Sequence, residues 1–215
     1  MNSIGYFVVS IILAISQSVM AQDSNEDGVK YLQQQWAVSN YQLLGKEQEE
    51  AFVTLLADAD KMVEASPNEA PVLIWRAIIE STYAGIKGGI GALKWVKAAR
   101  ADLEQAISLD DQALQGSAYT SLGTLYYKVP GWPIGFGDDD KAESLLKKAL
   151  DINPAGIDPN YFYGEFLLNE KRYQESQVYF MKALDASPRP GREVADRGRK
   201  EEVEKALKEV QKHLS

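Results

Sequence analysis

SAYTSLGTLYYKVPGWPIGFGDDDKAESLLKKALDINP (117–154) and AGIDPNYFYGEFLLNEKRYQESQVYFMKALDASP (155–188) are two copies of one pattern. Each copy opens with an aromatic-rich helical run that contains a glycine. Each continues through a turn into a second helical run and ends Lys-Ala-Leu-Asp-x-x-Pro. Lys148-Ala149-Leu150-Asp151 to Pro154 returns as Lys182-Ala183-Leu184-Asp185 to Pro188, an offset of 34 residues. A fixed period of this length marks a unit that cannot bury its apolar face alone and must stack on its neighbours.

The second helix of each unit carries a small, a large and a small residue and then a helix stop, at steps of four, three and five. Ser176, Phe180, Ala183 and Pro188 fit this pattern, as do Ala142, Leu146, Ala149 and Pro154. Ala99, Leu103, Ala106 and Asp111 fit with Asp in place of Pro. Leu55, Ala59, Met62 and Pro67 keep the spacing with large and small exchanged. Four helix pairs therefore precede Pro188. Glu193–Leu214 reads as one final helix, with Val203, Leu207, Val210 and Leu214 as a narrow apolar stripe. A stack of repeats needs such a cap, polar outside and apolar inside.

The remaining helices follow from apolar periodicity and punctuation. They are expected at Val29–Leu44, Lys46–Ala65, Pro71–Tyr83, Ala92–Leu109, Leu114–Tyr127, Lys141–Ile152, Pro159–Asn169 and Tyr173–Ala186. From the small residue of a first helix (Ala77, Gly123 or Gly164) to that of its second helix is 22, 19 and 12 residues. The middle two units thus carry insertions, Lys87–Gly91 and Val129–Gly137, at the same place in the pattern. Equivalent turns of a stack leave from one edge, so the two loops are expected to be neighbours and to offer a binding edge.

The 34-residue unit and its small–large–small signature resemble the tetratricopeptide repeat family, over about residues 30–188. VPGWPIGFGDDDKA followed by NPAGIDPNYFYGEF is similar to exported bacterial proteins of that family. The resemblance implies a right-handed superhelix of antiparallel helix pairs, with the first helices lining a concave groove that binds peptide segments. One periplasmic branch of the family works beside the substrate-binding proteins of TRAP-type transporters, and no motif ties this chain to it.

Residues 1–21 read as a cleaved signal peptide. Ile4–Val19 is apolar and uncharged, and Val19-Met20-Ala21 places small residues where a signal peptidase cuts, after Ala21. Residues 22–28 then form a polar leader, 29–188 the repeat domain and 189–215 the capping helix. The apolar run is short for a span of about 20 residues, so no stable membrane insertion is expected after cleavage, and the destination is periplasmic or secreted. The net charge of -8 disfavours nucleic acid and anionic membrane as partners. Without cysteine there is neither a disulfide nor a thiolate site.

Each chemical motif has a structural counterpart. Trp132 and Phe136, in the Pro/Gly-rich loop, either anchor a partner or fold back and plug the stack. Asp138-Asp139-Asp140 offers carboxylates to a divalent cation, or caps the helix that follows. Gly85–Gly91 before a helix with Lys94 and Lys97 offers an anion cradle, or a turn between packed helices. Arg189, Arg192, Arg197 and Arg199 form a basic patch for an acidic partner, or solvated charges paired with nearby carboxylates. Repeat alignment turns Thr124, Tyr127, Tyr161, Glu165 and Leu168 toward the groove. The single histidine, His213, lies at the end of the chain, and no nucleophile or metalloprotease motif is present. No catalytic residue, metal or cofactor is expected.

The sequence thus describes an all-α, non-enzymatic adaptor that binds a protein or peptide partner. The contacts expected are Thr124, Tyr127, Tyr161, Glu165 and Leu168 in the groove and Trp132 and Phe136 on the loop edge. The alternative is a small-molecule or transporter-associated binding protein with a pocket roofed by the two inserted loops.

Overall fold

The structure, a computed structural model, describes residues 25–214, and the proposed signal peptide lies outside them. Nine α-helices and no strand occur among the described residues. They are α1 (25–41), α2 (Gly45–Ala65), α3 (Ala70–Lys87), α4 (Ala92–Leu109), α5 (Ala113–Lys128), α6 (Asp139–Ile152), α7 (Ile157–Asn169), α8 (Tyr173–Asp185) and α9 (Glu193–Leu214). The last four residues of the expected leader, 25–28, already belong to α1. Asn25 is held there by a hydrogen bond from Ser66 at the end of α2 (3.1 Å).

The helices pair as α3/α4, α5/α6 and α7/α8, and each pair packs on the next. α1 joins α2 through Gly28, which lies against Met62, and through Tyr31, whose hydroxyl donates to Asp58. First helices also touch one another directly, α3 on α5, α5 on α7 and α7 on α9. The result is an all-α helical-repeat superhelix with its first helices along one surface.

The small–large–small positions are the pair contacts. Ala99, Leu103 and Ala106, then Ala142, Leu146 and Ala149, then Ser176, Phe180 and Ala183, are each fully buried. The small residue of the first helix faces the large one of the second. A Cβ built on Gly123 would stand 2.8 Å from Leu146, and one on Gly164 2.8 Å from the Phe180 ring. Ser176 then donates to the Gly164 carbonyl (2.7 Å), so a buried hydroxyl is satisfied at the closest point of the pair.

Local chemistry sets the ends. Asp138 caps α6 by accepting from the Lys141 N–H (3.0 Å), with Asp139 and Asp140 in the first turn, where the macrodipole is positive. α3 runs four residues beyond its expected end, because Gly85 stays helical and the chain turns only at Gly88 and Gly89, both left-handed. α5 departs from its expectation more sharply. Leu114, Gln115 and Gly116 all have positive φ, and regular helix begins after them. Two non-glycine residues in that region cost on the order of 1 kcal/mol each, and both line the cavity described below.

One buried acid lies inside the α3/α4 pair. Arg76 grips Asp102 with two hydrogen bonds (2.6 and 2.8 Å), but Glu80, one turn on, is buried and its Oε2 has no partner among the described residues. Burial, and then the negative charge of Asp102, push its carboxyl up to about 8. Glu80 is protonated in the fold at neutral pH and ionised in the unfolded chain, so stability falls as pH rises from about 4.5 to about 8. Glu80→Gln is expected to flatten that slope. It should stabilise the protein above pH 8 by about 1–2 kcal/mol, less than the full linkage because the amide still needs partners. Urea unfolding at several pH values measures this, and an unchanged slope in the variant would show that another group titrates.

Candidate functional site

α9, expected as a simple cap, also runs back along the first-helix surface. Val203 and Val210 bury against α7 and α8 with Ile157, Tyr161 and Phe180. Leu207 is partly buried, and Leu214 is exposed. Earlier in the helix the Gly198 backbone lies against the Tyr41 ring of α1, with no room for a side chain. The Tyr41 hydroxyl donates to Glu202 (3.3 Å), a link across 161 residues. A glycine in mid-helix is the sequence signal for this contact, since glycine there is otherwise unfavourable.

The two ends of the stack are therefore joined across the groove, and the arginines do the joining. They are not a solvated patch. Asp158 accepts from Arg189 Nη1 (2.6 Å) and from Arg199 Nε (2.9 Å). Arg189 also binds Asp196, and Arg199 binds Glu202. Arg199 lies over Tyr161 and Phe162, 4.4 and 4.5 Å from the ring centres. Burial alone would raise the Asp158 carboxyl, but Arg199 and Arg189 outweigh it and hold it at about 2. Arg197 is the exposed member of the four.

Between α9 and the first helices is a cavity of about 640 Å³. Trp36, Trp75 and Ile78 form one wall, Thr120, Ser121 and Thr124 of α5 another. The Ser187–Arg192 segment and Arg199 close the far side. Among the described residues no part of either inserted loop lines it, so the expected roof of loops is replaced by α9 and the segment before it. A helix of the same chain covers the groove because its small face, Ala195 and Gly198, lets it approach α1.

The groove residues expected from repeat alignment meet different fates. Thr124 lines the cavity, its hydroxyl donating to the Thr120 carbonyl (2.8 Å). Tyr127 is buried and donates to Glu165 (2.6 Å), which also accepts from Lys128 (2.8 Å). Burial and then Glu165 drive the Tyr127 hydroxyl well up, so it stays a donor. Tyr161 is buried under Arg199, and Leu168 is half-buried in the cluster made with α9. Tyr127, Tyr161 and Glu165 thus hold helices together where alignment alone turns them toward a ligand.

The inserted loops are the open surface. Phe136 folds in, edge-on to Tyr126 (5.4 Å) and under the Arg100 guanidinium (5.0 Å). Trp132, four residues earlier, is 90% exposed, and Ile134 is 64% exposed. The loop between them is braced. Gly137 N–H donates to the Pro130 carbonyl (3.0 Å), Gly135 N–H to Gly131 (3.1 Å) and Asp138 N–H to Tyr126 (2.9 Å). A side chain at Gly135 or Gly137 would collide with the Val129–Pro130 backbone or the Val129 side chain. Ile90, on the other inserted loop, is also 90% exposed. Lys87 at the base of that loop pairs with Glu49 of α2, while Phe136 meets Arg100 of α4, so each loop leans on the preceding helix pair.

Residues 157–190, which contain α7 and α8, match the tetratricopeptide repeat family model. A thermophilic TPR protein of Thermus thermophilus is similar in structure at 15% identity and a TM-score of 0.43, over 83% of this chain and 98% of that one. No curated protein matches the sequence. Residues 157–190 thus carry a tetratricopeptide repeat, and the pairs α3/α4 and α5/α6 stack before it in an all-α repeat architecture.

Proposed function

We propose that this protein is an exported, non-enzymatic adaptor that docks a protein partner on its loop edge, with Trp132 as the central anchor. The observation that carries this reading is an exposed Trp132 on a loop whose backbone is internally braced. A large apolar side chain in water is unfavourable unless something covers it. One held by a rigid loop loses little conformational freedom on binding. Trp is also the residue type that most often dominates interface energy. Ile134, two residues on, adds exposed apolar surface to the same loop. The groove supports this choice by exclusion, since α9 already lies along it. The apolar, uncharged stretch 4–19 and the cut expected after Ala21 support export to the periplasm, with Gln22 first in the mature protein.

The mature protein and Trp132→Ala would be cross-linked in native cell envelope, and the captured protein identified, purified and titrated against both. Trp132 makes little contact with the rest of the fold, so the variant is expected to unfold at the same temperature as the parent. Its affinity is expected to fall about tenfold or more. Equal affinities would remove the loop edge from the interface.

A further inference from the structure

The cavity under α9 contains a cation without an anion. Arg189 and Arg199 are matched by Asp158, Asp196 and Glu202. Arg192 is different. It forms no ion pair and donates no side-chain hydrogen bond among the described residues, and its Nε is shielded from water without a partner. Its guanidinium lies 5.1 Å from the centre of the Trp75 ring, and both residues line the cavity. Burial, and then the positive charge of Arg189, lower its proton affinity, and the more distant charges of Asp158 and Asp196 only partly offset them. Arginine nevertheless remains a cation under these conditions.

A second donor is unmatched at the same place. Trp36 Nε1 donates to Thr82 Oγ1 (2.9 Å), as a buried indole normally does. Trp75 Nε1, beside it, is buried and has no acceptor among the described residues. The one carboxylate in the cavity wall among the described residues, Asp158, is already shared by two arginines. Among the described residues the wall therefore offers aromatic surface, a band of hydroxyls from α5 and an unmatched guanidinium, but no free carboxylate.

We propose that this cavity binds a small organic acid, its carboxylate on Arg192 and its apolar body against Trp75, Trp36 and Phe162. A planar guanidinium held over an aromatic ring is suited to a carboxylate, which it binds through two parallel hydrogen bonds. The volume suits a small molecule, since such sites span roughly 300–1,000 Å³. An extended peptide segment fits less well, because α9 lies along the surface it would follow. The site is separate from the loop edge, so its success or failure leaves the adaptor reading untouched.

The mature protein would be titrated by calorimetry with benzoate, 3-phenylpropionate and indole-3-propionate, and with the matching primary amides. At least one acid is expected to bind in the micromolar-to-millimolar range, about tenfold or more tighter than its amide. Arg192→Gln is expected to abolish that preference, while Arg192→Lys retains part of it. The Gln variant should melt no lower than the parent, because it removes a buried charge with no partner. Four outcomes would overturn the proposal: no acid binds at millimolar concentration; acid and amide bind alike; Arg192→Gln keeps the preference; or an acidic peptide binds where the small acids do not.

Discussion

Asp158→Ala is expected to destabilise the protein by about 2–4 kcal/mol, and to lower its melting temperature by about 5–15 °C. Asp158, in the first turn of α7, is the only carboxylate among the described residues that both Arg189 and Arg199 share. The Arg199 side chain is 9% exposed, so without Asp158 it would be left with Glu202 alone at 2.6 Å. Removing one member of a fully buried ion pair costs about 3–5 kcal/mol, because the other charge stays desolvated. The lower figure applies here because the Asp158 side chain is 29% exposed and Glu202 remains. Acid should erase the difference. The Asp158 carboxyl is held at about 2, below its ordinary 3.8, so its contribution is full above pH 3.8 and disappears as pH falls toward 2. Urea unfolding at neutral pH, and thermal unfolding as a function of pH, measure both effects, with Arg197→Ala as a control expected to be neutral. A loss below about 0.5 kcal/mol at neutral pH would mean that the network joining α9 to α7 does not contribute to stability.

Gly164→Leu should cost about 3–4 kcal/mol, at the upper end of overpacking effects. A Cβ at this position meets Phe180 Cδ1 and Cε1 at 2.8 and 2.9 Å, both closer than real side chains tolerate. Phe180 is fully buried, so its ring has nowhere to move. A leucine adds three further carbons, and the pair can accept them only if α7 and α8 separate. That would also break the bond from Ser176 to the Gly164 carbonyl and expose the cluster formed with Val203 and Val210. Gly164→Ala should fall between parent and leucine, at about 1–2 kcal/mol. Chemical denaturation orders the three proteins. If the leucine variant were as stable as the parent, Gly164 would not lie at the closest point of the pair.

Much of the molecule is legible in local patterns. The Lys-Ala-Leu-Asp recurrence at 34 residues identifies the unit, and the small–large–small steps identify the buried face of every second helix from α4 onward. These signals survive because the contact inside a helix pair involves residues close in sequence, whose register is set by helical periodicity. Glycine, proline and aspartate mark the loops and the α6 cap by the same logic. α9 is expected over the same residues that it occupies. In the first pair the pattern is weaker, with Met62 half-buried where a core residue is expected, because α2 packs mainly through Phe52, Leu55, Leu56 and Ala59.

The helix pairs, the two inserted loops and the final helix were thus readable from the chain, since each depends on contacts within about one repeat. Folding in three dimensions was needed to fix where α9 goes, which arginine lacks a partner, and that Phe136 turns inward while Trp132 stands in solvent. The first two follow from the curvature accumulated over four pairs, which brings Tyr41 to Gly198 and Arg192 to Trp75, and the third from the contact of Phe136 with Tyr126 and with Arg100 of the preceding pair. No spacing along the chain encodes a meeting across 161 residues. Range accounts for the division. Periodicity and capping act over a few ångströms along one helix, whereas closure depends on how every pair is tilted on the one before it.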